Sequence, residues 1–188
     1  MLERRESPTD RAGGPDAWIA AAGRLVAGWD GVRAAGIAVT GLIRGGLWRA
    51  LNPDTLPVPD NFPLADKLRQ RLRMSVTARN DAQAAAWGEY RFGGAGVQDL
   101  IFVTVSTGIG GGIVARGRLV EGRTGLAGHI GITPVETPSG VRRFEDLASG
   151  RALNQLAQNA GPITKRRPCS SPKPSTSRAR CATARCCR

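Results

Sequence analysis

The sequence predicts an α/β domain, and three observations carry that expectation. Apolar residues switch along the chain between helical spacing and short β-branched runs, as they do where strands and helices are interleaved. Hydrophobic residues make up 41% of the 188, enough for one real core or two small lobes. An apolar run at residues 100–105 passes almost directly into Gly108, Gly110, Gly111 and Gly112, so a strand there ends in unusually bare backbone.

The elements follow in order. In residues 15–29, Pro15 stands near a helix start, and Trp18, Ile19, Ala22, Leu25, Val26 and Trp29 recur at helical spacing. Residues 35–41 form a short buried-strand pattern ending at Thr40 and Gly41. Residues 63–73 read as an amphipathic helix, with Leu64, Leu68 and Leu72 each four apart. Residues 74–81 then read as a strand whose end delivers Asn80 and Asp81. A helix over 81–92 has the Asp81 carboxylate at its N-terminal edge, where the helix dipole favours it. Residues 100–106 make a strand, 111–122 a hairpin turning near Arg116 and Gly117, and 144–159 a closing helix.

Charge is distributed unevenly. The net charge of +12 would ordinarily point to nucleic acid or an anionic membrane. Eight of the 27 Lys and Arg and none of the 15 acids fall in residues 164–188, so the body is only mildly basic. All four cysteines, Cys169, Cys181, Cys186 and Cys187, also lie in that tail, which has no aromatic and no large aliphatic residue. Such a segment buries too little apolar surface to offset its ordering entropy, and its cysteine spacing suits no zinc motif. A basic nucleic-acid-binding arm is one reading; a frame-shifted or otherwise foreign C-terminus is preferred, because the composition changes abruptly. No run of 18 apolar residues occurs and the N-terminus has no apolar signal core, so a cytoplasmic protein without a membrane partner is expected.

Three short constellations could carry chemistry. Glycines after a strand let backbone N–H groups converge on an anion such as phosphate, because no Cβ blocks the approach. The run at 106–112 is neither a P-loop, since no Lys-Ser or Lys-Thr follows, nor a dinucleotide fingerprint, since a strand rather than a helix comes next. A ligand-free glycine hairpin is the competing reading. At a strand-to-helix junction Asp81 can face a cleft and take a proton from a substrate hydroxyl, with Asn80 positioning that substrate; a plain helix cap is the alternative. His129, the one histidine, lies among glycines and is either a structural hydrogen-bonder or a binding residue.

Taken together, residues 39–53 (VTGLIRGGLWRALNP), 80–90 (NDAQAAAWGEY), 105–114 (VSTGIGGGIV), 125–131 (GLAGHIG) and 145–153 (EDLASGRAL) resemble the ROK family of sugar kinases. Within it they resemble the branch acting on N-acetylmannosamine, a step of sialic acid catabolism. The resemblance covers roughly residues 5–160. It implies an actin-like ATPase (ribonuclease H-like) fold, two α/β lobes closing on a cleft, and phosphoryl transfer from MgATP to the sugar 6-hydroxyl. By the same resemblance Asp81 matches the catalytic base and Asn80 its sugar-binding partner. Gly41, His129 and Glu145 match sugar-contacting positions, and Thr107, Gly108, Gly110 and Gly111 match a phosphate-binding loop. Phosphoryl transfer needs positioning, charge stabilisation and one base, which these residue types can supply.

The departures from the family pattern are equally specific. The family's first strand and its Asp-Ile-Gly-Gly-Thr-Lys phosphate loop are not found, nor is its C-terminal adenosine-binding region. One zinc-ligating histidine of the family is Ile132 here, and the cysteine cluster is replaced by residues 137–146 (TPSGVRRFED), so no zinc is expected. The expected organisation is an incomplete kinase domain over 1–163 followed by the tail at 164–188. A ROK glucokinase and a catalytically silent sugar-binding remnant are the alternatives. ROK repressors bind DNA through an N-terminal helix-turn-helix that this N-terminus does not offer, so small-molecule partners are expected and a homodimer is left open.

Overall fold

The computed structural model describes residues 3–51, 56–93 and 96–160; the tail expected at 164–188 lies outside them. The first half of the chain builds one layer of helix on sheet. Helix α1, Gly14–Leu25, carries Pro15 and Asp16 in its first turn. It stops before the predicted end, and Gly28, at φ +78°, takes the chain off the helical path. Trp29 therefore leaves the helical face, and its Nε1–H donates to Glu3 Oε2 at 2.8 Å.

Strand β1, Ala34–Val39, and strand β4, Ser75–Asn80, run parallel in a register that sets Val39 beside Asn80. Between them the chain forms a hairpin, β2 Leu42–Arg44 and β3 Leu47–Arg49, and then helix α2, Leu64–Leu72. Gly45 and Gly46 turn the hairpin with φ of +56° and +83°, the backbone twist a two-residue turn requires. The core of this half gathers Ile19, Ile43, Trp48, Phe62, Leu64, Leu68 and Val76. Trp48 is its centre, with ring centroids 5.9 Å from Trp18 and 6.5 Å from Phe62.

The second half begins without a break where β4 becomes helix α3, Asp81–Phe92. Strands β5 Leu100–Val105, β6 Ile109–Ala115 and β7 Arg118–Val120 form an antiparallel sheet, with Arg116 and Gly117 at the expected turn. The alanine face of α3 lies on the glycines of β6. A Cβ at Gly110 would come within 3.1 Å of the Ala82 Cβ, and one at Gly112 within 2.5 Å of the Ala86 Cβ. On β5, Phe102 and Thr104 are half-buried, while Ile101, Val103 and Val105 stand exposed on the opposite face.

A 3-10 turn at Ile130–Ile132 leads to a small hairpin, β8 Pro134–Thr137 and β9 Gly140–Arg143. The single closing helix expected over 144–159 is instead two, α4 Glu145–Ala148 and α5 Gly150–Ala160. Ser149 separates them in an extended conformation, fully buried, and its Oγ caps the second helix by accepting the Ala152 N–H at 3.3 Å. The break lets Gly150 donate its N–H to the Ser106 carbonyl at 2.8 Å, an approach that a Cβ at 2.6 Å from that oxygen would forbid. Among the described residues, no helix is long and apolar enough to cross a membrane.

Candidate active site

A cavity of about 520 Å³ opens where the end of β1, the β4–α3 junction, the β5–β6 turn and the start of α4 meet. That size suits a small-molecule ligand. Asn80 and Asp81 reach it because β4 ends and α3 begins at this point. Asn80 is the helix cap, and its Oδ1 accepts the Gln83 N–H at 3.1 Å. Its Nδ2 donates to the Gly41 carbonyl at 3.0 Å, so the side chain is buried and already engaged on both ends. Asp81 is exposed and accepts the Ala82 N–H at 2.9 Å through Oδ1; among the described residues no partner is seen for Oδ2.

Gly41 is required by its surroundings. Its φ is +96°, and a Cβ would stand 2.5 Å from the Arg49 carbonyl. That closeness follows from the β2–β3 hairpin folding back, which also lets the Trp48 Nε1–H donate to the Thr40 carbonyl at 2.8 Å. Trp48 thereby lines the cavity from below.

The glycine run is organised differently from its sequence reading. Only residues 106–108 form the turn, closed by the Ser106 N–H to the Gly108 carbonyl at 2.8 Å; Gly110 and Gly111 lie within strand β6. None of Gly108, Gly110, Gly111 and Gly112 has positive φ, so these positions need room rather than conformational freedom. Thr107, Gly108 and Gly110 line the cavity. Gly111 sits deeper, where a Cβ would meet the Phe102 carbonyl at 2.6 Å and the Gly128 carbonyl at 2.9 Å.

Glu145 opens α4 against the same turn. Its Oε2 accepts the Ile109 N–H at 3.4 Å and lies where a Cβ on Gly108 would approach to 2.9 Å. One backbone donor of the glycine run is thus engaged by a carboxylate. His129, just before the 3-10 turn, also lines the cavity, and among the described residues both its buried ring nitrogens have no hydrogen-bond partner. A buried, unpartnered imidazole edge is costly unless a ligand completes it.

The cavity thus gathers every candidate except Gly111. Sequence reasoning did not single out Thr40, Trp48, Ser106 and Arg151, which line it too. Arg151 is the one cationic side chain among the described lining residues, and it also borders a neighbouring cavity with Ser106 and Thr107. Its backbone is tied to the turn through its N–H to the Thr107 carbonyl at 3.4 Å. Among the described residues no group of three or more His, Cys, Asp or Glu side chains could hold a metal ion, and Ile132 lines the cavity.

A parallel strand pair leading through a helix into an antiparallel sheet, with the cavity between them, is part of the actin-like ATPase fold. The chain belongs to the ROK family, whose model matches residues 2–184. It is 48% identical over 162 residues to the bifunctional enzyme NanE/NanK of Brucella melitensis, covering 86% of this chain and 31% of that protein. To the N-acetylmannosamine kinase of Citrobacter koseri it is 43% identical over 167 residues, covering 85% of this chain and 58% of that one. Among solved structures, a ROK family glucokinase from Streptomyces griseus, in complex with glucose and AMPPNP, superimposes with a TM-score of 0.65 at 36% identity. The match covers 80% of this chain and 52% of that one. The chain therefore spans between about a third and three fifths of the length of the curated relatives it matches.

Proposed function

We propose that this chain contributes the sugar site and acceptor-side chemistry of an ATP-dependent kinase that phosphorylates the 6-hydroxyl of N-acetylmannosamine. The observation that carries the reading is the convergence of Asp81, His129 and the turn at 106–108 on one cavity. Asp81 takes the hydroxyl proton as the oxygen attacks the γ-phosphoryl, and Asn80 holds the backbone that aims it. The unpartnered His129 nitrogens hydrogen-bond the sugar, with Gly41 and Glu145 lining the same space. Thr107, Gly108 and Gly110 face the phosphates, and Gly111 supports them from within the strand. Arg151 supplies positive charge beside them. MgATP enters as a substrate, and the reading places the enzyme in the cytoplasm, where ATP is available. The likeness to the N-acetylmannosamine kinase of Citrobacter koseri, at 43% identity, supports N-acetylmannosamine as the acceptor.

A second reading, glucose as acceptor, is favoured by the likeness to the Streptomyces griseus glucokinase. Calorimetric titration with both sugars separates the two, and saturable binding that is tighter for N-acetylmannosamine is expected. Binding of glucose alone transfers the proposal to the second reading, and binding of neither sugar overturns both. In a version of the chain completed with the family's N-terminal phosphate loop and C-terminal lobe, Asp81→Asn is expected to retain sugar binding and to slow phosphoryl transfer by about 10²- to 10⁴-fold. An unchanged rate removes Asp81 from the role of base.

A further inference from the structure

Gln83 is 1% exposed, in the first turn of α3, at a position where a glutamine in an alanine-rich helix would ordinarily face solvent. Its side-chain Nε2 donates to two backbone carbonyls of a distant loop, Ala127 at 3.0 Å and Gly125 at 3.3 Å. Both amide hydrogens are therefore committed to the segment that ends two residues later in His129. The segment is also held through its backbone, with the His129 N–H donating to the Leu126 carbonyl at 3.1 Å. The Ala127 N–H donates to the Glu121 carbonyl at 3.2 Å, and Gly128, at φ +86°, presses so closely on β6 that a Cβ would lie 2.6 Å from the Gly111 carbonyl. The backbone N–H of the same Gln83 is the donor that the Asn80 side chain accepts at 3.1 Å. One residue thus bonds with its main chain to the cap that presents Asp81, and with its side chain to the loop that presents His129.

We propose that Gln83 is a positioning residue that sets the His129 imidazole in the cavity relative to Asp81. The proposal rests on the sugar-binding role given to His129 above, and it adds the device that holds that imidazole in place. No other side chain among the described residues hydrogen-bonds the carbonyls of Gly125 and Ala127, so removing the amide leaves both carbonyls without a side-chain donor.

The chain contains a single histidine, so its imidazole carbon-bound protons give one pair of NMR signals that report on His129 alone. Gln83→Met keeps the length of the side chain and removes both donors. In the sugar-free chain, well below its melting temperature, this variant is expected to shift or double the His129 signals. Unmoved signals overturn the proposal whether or not the chain binds sugar.

The second measurement is a double-mutant cycle on sugar affinity, with Gln83→Met and His129→Ala made singly and together. Gln83→Met is expected to weaken sugar binding by about tenfold in the parent and by less than twofold in the His129→Ala background. Equal losses in both backgrounds mean that Gln83 acts on the fold at large, and the proposal fails while the sugar-binding reading stands. Absence of sugar binding in the parent defeats that reading and leaves the NMR result to decide the positioning role. Should Gln83→Met fail to fold by circular dichroism, Gln83→Asn, which keeps the amide but falls short of the loop, takes its place in both measurements.

Discussion

Asn80 donates its side-chain N–H to the Gly41 carbonyl at 3.0 Å, and this one bond fastens the end of β1 to the head of α3. Because the same amide also caps the helix through its oxygen, Asn80 holds the geometry of the site from beneath. Any sugar contact it makes must use the remaining hydrogen and lone pairs. Its neighbour Asp81, by contrast, uses Oδ1 to accept the Ala82 N–H, and among the described residues its Oδ2 has no partner.

Asn80→Ala is expected to lower unfolding free energy by about 1–3 kcal/mol, since it deletes a cap and orphans a buried carbonyl. Urea denaturation followed by circular dichroism checks this. Sugar affinity should fall as well, although the base is untouched. Asn80→Asp retains the cap acceptor but sets a buried carboxylate oxygen against the Gly41 carbonyl, so it should recover neither the stability nor the affinity.

Gly112→Ala should cost about 1–3 kcal/mol, because its Cβ would be forced within 2.5 Å of the Ala86 Cβ. Gly36→Ala, in β1, meets nothing within 4 Å and should leave the melting temperature nearly unchanged. Equal effects at the two sites would mean that α3 does not lie on β6 as closely as described.

Arg151→Gln is expected to weaken binding of inorganic tripolyphosphate by about tenfold, as loss of a charge-assisted contact does, with sugar affinity unchanged. Titration calorimetry at fixed ionic strength measures both. Since Arg151 is exposed, folding should be unaffected.

Elemental analysis of the purified protein is expected to find less than one zinc per chain. Ile132 cannot ligate a metal, and no cysteine lies within residues 1–163. One stoichiometric zinc would overturn this expectation.

Much of the site's framework could be read from the sequence. The strand ending at Asn80 and the helix over 81–92 agree with the structure because apolar periodicity, the cap and the acidic first turn all point the same way. The hairpins β2–β3 and β8–β9 were not legible, since strands of three or four residues carry too little alternation to stand out. The break between α4 and α5 was hidden because helical spacing continues through Ser149 and Gly150; a contact with Ser106, far away in sequence, imposes it. Gly112 read as bare backbone for a ligand, whereas its bareness admits Ala86; at Gly110, which lines the cavity, the missing Cβ also makes room for Ala82. Gln83 and Arg151 gave no signal, because polar residues in helices ordinarily face water and only tertiary contacts distinguish these two.

The parallel pairing of β1 with β4 has a bearing on the order in which the protein folds. The Asn80 to Gly41 bond spans 39 residues, and the Gln83 to Gly125 bond spans 42. Contacts of that separation form only after long loops have closed, and so they come late relative to helices such as α2 and α3. During refolding, helical circular dichroism should return first and sugar affinity only with the slowest phase. The time course of regained binding therefore serves as a clock for the final docking of the two halves.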